Sequence, residues 1–196
     1  MKIWIAHLAV LAALGVLLAL LPAYHATNLA RILTLAVFAT GYNLAFGYTG
    51  LLSLGHALFF AAGVYGAALP VTYWGLPPLP AIALGCLAGG GLATLVGLLA
   101  LRTAGVSFMI VTLMFAQAGY LTVLYFGTVT GGDEGLVLPA TARILFGMDL
   151  SADAPRYLTA WALFSAALMA SLALVRSPFG RVMIAMRENE DRSRML

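Results

Sequence analysis

Six mostly apolar runs, each close to the roughly 20 residues a membrane-spanning helix needs, follow one another along this chain and leave it few ways to fold. They are Ile3 to Leu21, Ile32 to Tyr48, Leu51 to Pro70, Leu79 to Leu101, Val106 to Gly127, and Tyr157 to Val175. A helix rises about 1.5 Å per residue, and the hydrocarbon core of a bilayer is about 30 Å thick, so each run is close to one crossing. Short turns separate them, apart from one longer loop from Thr128 to Arg156. Composition decides between crossing a membrane and filling a large soluble core. Only 9% of the residues are charged and 63% are hydrophobic, whereas soluble domains carry roughly 25% charged residues. Ten basic and seven acidic side chains cannot coat a soluble surface. The expected fold is therefore an all-α integral membrane protein, a polytopic bundle of about six transmembrane helices formed by residues 1–196 as a single domain.

The first run follows Lys2, as in a signal peptide. However, it is longer than a usual signal core, and Tyr24 stands where a cleavage site would need a small residue. An uncleaved helix is expected. Lys and Arg near the span ends set orientation. With the N-terminus inside, the inner side holds Lys2, Arg102, Arg176, Arg181, Arg187, Arg192 and Arg194, and the outer side only Arg31, Arg143 and Arg156. The third run is the least regular. Gly47, Gly50, Gly55, Gly63 and Gly66 punctuate it and its approach, and Ser53 and His56 lie near its start. Irregular backbone at membrane depth persists only where protein covers it or a wet cavity borders it. This segment is either a continuous span or a broken, re-entrant one. In the fourth run, Gly85 and Gly89 make a Gly-x-x-x-Gly step, followed by Gly90, Gly91 and Gly97, which predicts close packing on another helix.

Several chemistries are excluded. The only lysine is Lys2, so no phosphate-binding loop of the Gly-x-x-x-x-Gly-Lys type exists. His7, His25 and His56 are scattered, with no i, i+4 pair to hold a metal, and no carboxylate pair lies within a span. Cys86 is single and sits in an apolar run, as a packing residue would. Basic residues are not interleaved with aromatics on one soluble face, which argues against nucleic acid as a partner. Within the spans, Asn43, Ser53, His56 and Gln117 are polar. An unpaired polar group in hydrocarbon is costly. These four therefore either bond between helices or line a solute path. No span carries a buried Asp, Glu or Lys of the kind a proton- or sodium-driven carrier would use.

After the sixth run comes a short amphipathic segment. Ser177 suits a helix N-cap and Pro178 the first helical position. Phe179, Val182, Met183 and Met186 form an apolar stripe, and Glu188 with Arg192, like Glu190 with Arg194, is an i, i+4 pair. The pattern fits a helix lying on the membrane surface or docking a partner.

Three stretches resemble the permease subunits of bacterial ABC importers for branched-chain amino acids, the LivM type. They are Gly41 to Phe59 (GYNLAFGYTGLLSLGHALF), Thr130 to Leu136 (TGGDEGL), and Ser177 to Arg181 (SPFGR) running on to Ala185–Glu190 (AMRENE). The resemblance covers most of the chain from the second run onward. It implies that Ser177, Pro178, Phe179, Gly180, Arg181, Arg187, Glu188 and Glu190 form the coupling helix that meets an ATP-binding subunit. It places Asn43, Ser53, Gly55 and His56 near the translocation path, with Gln117 added from its polarity. It sets Gly131, Gly132, Asp133, Glu134 and Gly135 at the outer mouth, either touching solute or serving as a glycine turn. It further implies ATP-binding subunits, a homologous second permease and a periplasmic solute-binding protein as partners. The chain itself would hold no cofactor and no metal, ATP being bound by partner subunits only, and would perform no enzymatic reaction. The implied location is a bacterial inner membrane, among its lipids, with the N-terminus cytoplasmic. Such permeases continue with further membrane helices, so the sequence is expected to be the N-terminal part of a longer family domain. Alternatives are a permease for urea or short amides, a secondary transporter, and a membrane scaffold.

Overall fold

The computed structural model describes residues 2–188 of the chain. Eight α-helices account for most of it: α1 Lys2–Leu20, α2 Ala23–Asn43, α3 His56–Trp74, α4 Pro78–Ala100, α5 Val106–Tyr125, the single turn α6 Gly127–Thr130, α7 Asp153–Arg176 and α8 Pro178–Glu188. Five of these, α2 with its extension to Tyr48, α3, α4, α5 and α7, are long and apolar enough to cross a membrane. In α1 the described apolar stretch is Trp4–Leu18. The chain is thus a polytopic helical membrane protein, and its apolar side chains point outward in large numbers, as a lipid-facing surface requires.

Helix starts follow the local sequence. Extended Pro22 separates α1 from α2, and extended Pro77 precedes α4, with Pro78 at its first position. Two boundaries differ from the sequence expectation. The second span begins at Ala23, nine residues before the expected start at Ile32, and ends at Tyr48 as expected, its last turn, Leu44–Tyr48, being π-helical. The third span begins at His56 rather than Leu51 and is unbroken to Trp74, with Gly63, Gly66 and Pro70 all inside the helix. The irregular backbone lies before it, in the segment from Thr49 to Gly55. Glycine marks a break only where the backbone must turn; in α3 it marks contact.

The chain forms two compact units. The first comprises Met1–Gly50 and Met148–Leu196. Here α2 packs along α7 through Ala26, Ala30, Leu33, Tyr157 and Ala160, with Leu14, Leu18 and Trp161 closing the cluster. Tyr157 is 0% exposed, and its hydroxyl donates to Leu14 O at 2.5 Å. Trp161 Nε1 donates to Leu11 O at 2.9 Å. These two bonds fix α1 against α7 and give each polar tip of a largely apolar side chain a partner. At the start of α7, Asp153 accepts a hydrogen bond from Thr27 and pairs with Arg156 at 3.9 Å.

The second unit is Leu51–Gly147. Its centre is the α3–α4 pair. A Cβ at Gly85 would stand 2.6 Å from Gly63 O, one at Gly66 would stand 2.5 Å from Ala88 Cβ, and one at Gly89 would stand 3.0 Å from Phe59 O. The Gly85–Gly89 step packs as expected, whereas Gly90, Gly91 and Gly97 face open space. Helix α5 adds Phe108 and Thr112 to the unit's buried residues.

Candidate functional site

Two features stand out, one in each unit. In the first unit it is the corner between α7 and α8. Ser177 stops α7 and starts α8 at once. Its backbone N–H and its hydroxyl both donate to Leu174 O, at 3.1 and 2.6 Å, while Oγ accepts the Gly180 N–H at 3.3 Å. That last bond is the N-cap expected from the sequence. Pro178 takes the first helical position, where no N–H is needed. Gly180 lies directly on the Val175 carbonyl, so close that any Cβ would collide with backbone.

Ser177, Pro178 and Gly180 therefore build the corner. Phe179 and Arg181 do not; both side chains are exposed, Phe179 at 62%. The apolar stripe also divides. Met183 is buried with Gly180 against the unit, whereas Phe179, Val182 and Met186 stay exposed on a neighbouring face of α8. Glu188 is exposed at the helix end, and Glu190 lies outside the described residues. Arg187 turns back onto its own chain, its Nη1 donating to Gly47 O at 2.5 Å.

In the second unit α3, α4 and α5 border an apolar cavity of about 860 Å³. Its walls are mainly alanine, leucine and valine with Phe115, and its polar groups are Tyr65, Tyr120, Thr122, Thr130 and Asp133. The glycine-rich loop closes one end. Gly131 and Gly135 adopt positive φ of 78° and 74°, and the Gly135 carbonyl lies where a Cβ of Gly131 would be. Hydrogen bonds from Glu134 N and Gly135 N to Gly131 O, at 3.1 and 3.2 Å, tie the turn. Thr130 Oγ1 reaches Val123 O at 2.6 Å and accepts from Gly132 N at 3.2 Å. The loop is thus a built glycine turn that also presents Gly132 and Asp133 to the cavity; Glu134 is exposed and does not line it.

The polar span residues are distributed differently. Ser53 is buried, and its Oγ accepts Gly55 N–H at 3.3 Å. Gly55 sits against the Thr112 carbonyl too closely for a side chain, and Thr112 Oγ1 accepts Leu54 N–H at 3.1 Å. These residues pin the irregular lead into α3 onto α5. His56 begins α3 with its ring edge-on to Phe59 at 5.6 Å. Asn43 folds over Gly47 in the π turn. Gln117 is exposed on α5, away from the cavity. None of Asn43, Ser53, Gly55, His56 or Gln117 lines the large cavity. Sequence reasoning passed over Thr112 and Thr122, because a Thr hydroxyl in an apolar helix usually bonds its own preceding turn, as Thr122 does with Ala118 O, and over Tyr65, whose ring reads as packing. The one available signal for Thr112 is its place opposite a backbone segment that lacks helical partners. Among the described residues, no group of three or more His, Cys, Asp or Glu could hold a metal ion.

Comparison with known proteins gives a consistent picture. Residues 24–196 match the family model for the permease component of branched-chain amino acid transport systems. The chain is 30% identical over 183 residues to the high-affinity branched-chain amino acid transport system permease protein LivM of Escherichia coli (strain K12), and equally to that of Salmonella typhimurium. Each alignment covers 82% of this chain and 43% of the relative, so the chain spans less than half the length of these curated relatives. No solved structure matches it significantly.

Proposed function

Because this chain belongs to the family of branched-chain amino acid transport permease components, we propose that it is a membrane subunit of an ATP-driven importer for branched-chain amino acids. The observation that carries this reading is the division of labour at α8. Ser177, Pro178 and Gly180 are consumed in folding the corner, while Phe179 and Arg181 stand exposed on the first turn of α8. An aromatic and an arginine on a pre-organised helix are the side chains that dominate protein–protein contacts. Their partner on this reading is a separate ATP-binding subunit, which supplies the energy that a chain without a phosphate-binding loop lacks.

The remaining parts follow from that assignment. Arg181 and its neighbours face the cytoplasm, as does the N-terminus, in a bacterial inner membrane. A periplasmic binding protein delivers solute, and a homologous permease completes the path. The apolar cavity of α3, α4 and α5 suits a branched aliphatic side chain better than urea or an amide, and Asp133 at its end can pair with an ammonium group. The test is co-purification of ATP-binding subunits with a tagged chain. Replacing Phe179 and Arg181 together by alanine should reduce recovery by about tenfold or more, as loss of two central contacts does. Unchanged recovery overturns the assignment.

A further inference from the structure

Arg187 lies near the end of α8, exposed, and its guanidinium is bonded within its own chain. Its Nη1 donates to Gly47 O at 2.5 Å, across 140 residues of sequence. Its Cγ lies 3.1 Å from the position a Cβ would occupy on Gly50, a residue at φ +75°. The stem thus runs over Gly50 and the head reaches Gly47, a grip at two points.

The target is the π-helical turn Leu44–Tyr48 that extends α2. The last carbonyls of any helix lack partners further along. Here Gly50 N returns to Phe46 O at 3.1 Å, the Thr49 hydroxyl donates to Ala45 O, and Gly47 O receives a guanidinium. A cation at this end is also favoured by the helix dipole. Gly47 and Gly50 are the residues that make room. Asn43 occupies the side-chain space of Gly47, and a side chain at Gly50 would crowd the arginine stem.

Helix α8 is consequently tethered at both ends. Gly180 seats its start on Val175 of α7, and Arg187 fixes its end to α2. A short helix held at both ends on two longer helices is in contact with each of them, so its position and theirs are linked. The π turn is the element able to respond, since its hydrogen-bond register differs by one residue from the α register that precedes it. The chain then runs directly from Gly50 into the irregular segment ahead of α3.

We propose that Arg187 is a positioning residue that straps α8 to the π turn of α2, so that displacement of α8 is passed into α2. The proposal rests on the importer reading above. It gives Arg187 a different role from Phe179 and Arg181, which contact the partner.

The experiment compares Arg187→Ala and Arg187→Lys in the full permease complex, reconstituted in vesicles with its ATP-binding subunits. Arg187→Ala should retain the ATP-binding subunits and ATP hydrolysis, while solute uptake per ATP falls by about tenfold, the equilibrium worth of one hydrogen bond to a charged group. Arg187→Lys, still able to donate to Gly47 O, should recover part of the coupling. Gly50→Ala perturbs the same grip from the α2 side and should give the same uncoupling. Hydrolysis and uptake falling in parallel, or neither changing, would overturn the strap. A second readout needs no transport. With Cys86 replaced by serine, spin labels at Phe46 and Ile184 should report a narrow distance distribution that broadens in Arg187→Ala; an unchanged distribution also overturns it. Should the parent chain recover no ATP-binding subunit, the importer reading fails and the strap falls with it. Recovery with an unaltered Arg187→Ala refutes the strap alone.

Discussion

The same substitution should have opposite effects at two glycines of one helix. A Cβ added at Gly85 would stand 2.6 Å from Gly63 O and 3.0 Å from Ala67 Cβ, whereas one at Gly90 would meet nothing within 4 Å. Ordinary van der Waals contact begins near 3.4 Å, so Gly85→Ala forces α3 and α4 apart by about 0.8 Å. A gap of that order forfeits about a quarter to a half of each dispersion contact across the seam. Overpacking of this kind costs about 2 kcal/mol. Alanine returns about 1 kcal/mol through its higher helix propensity. The net effect at Gly85 is a loss of about 1 kcal/mol. At Gly90 only the propensity gain of about 1 kcal/mol remains. For a chain of this size, each kcal/mol moves the melting temperature by about 2–4 °C. Melting of the detergent-solubilised chain, followed by fluorescence-detected gel filtration, should therefore put Gly85→Ala below the parent and Gly90→Ala above it, separated by about 4–8 °C. Equal shifts in the same direction would show that α3 and α4 do not meet at Gly85 and would refute the packing described above.

Three other perturbations probe the remaining contacts. Gly180→Ala drives a methyl into the Val175 backbone and should cost about 2–3 kcal/mol at the α7–α8 corner; faster tryptic cleavage after Arg181 and Arg187 would show it. Tyr157→Phe removes the only hydroxyl donor to Leu14 O seen among the described residues and should destabilise the chain by about 1–2 kcal/mol, read as a lower melting temperature. Thr112→Val keeps the shape but strips the acceptor from Leu54 N–H, so hydrogen exchange at the Leu54 amide should quicken by about tenfold or more, while Thr112→Ser should leave it slow.

The sequence was most legible where a single local requirement governs the outcome. An apolar run long enough to cross a bilayer must be helical, because no other conformation satisfies its backbone without water. Six runs were read in this way; among the described residues five are helices long and apolar enough to span, the second starting nine residues earlier than expected and the other boundaries shifted by up to five. The corner at Ser177 was equally local: a cap, a proline and a helix lie in consecutive positions, and they formed as expected. The third run was harder to read. Its glycines suggested a break, yet Gly63 and Gly66 lie inside α3, where they serve α4 rather than a turn. The irregular backbone falls instead at Thr49–Gly55, held by Thr112 from a helix more than fifty residues further along. The cavity was not legible in the sequence: Tyr65, Tyr120 and Thr122 line it without having been singled out. Gly132 and Asp133 reach the cavity of α3, α4 and α5; Ser53 and Gly55 are absorbed in packing.

By itself the sequence determined that this protein lives in a membrane, and where most of its spanning helices begin and end to within about five residues. Both follow from neighbouring residues along the chain. Only the tertiary structure decided which glycines of α4 are contacts and which face open space, since Gly85 and Gly90 occupy the same helix in the same kind of sequence. It also decided that Arg187, though exposed like Arg181, bonds to Gly47 O, 140 residues away in sequence. A helix presents its side chains in every direction around its axis. Which of them meet a neighbour is set by the packing of segments far apart in sequence, and no local pattern encodes that choice.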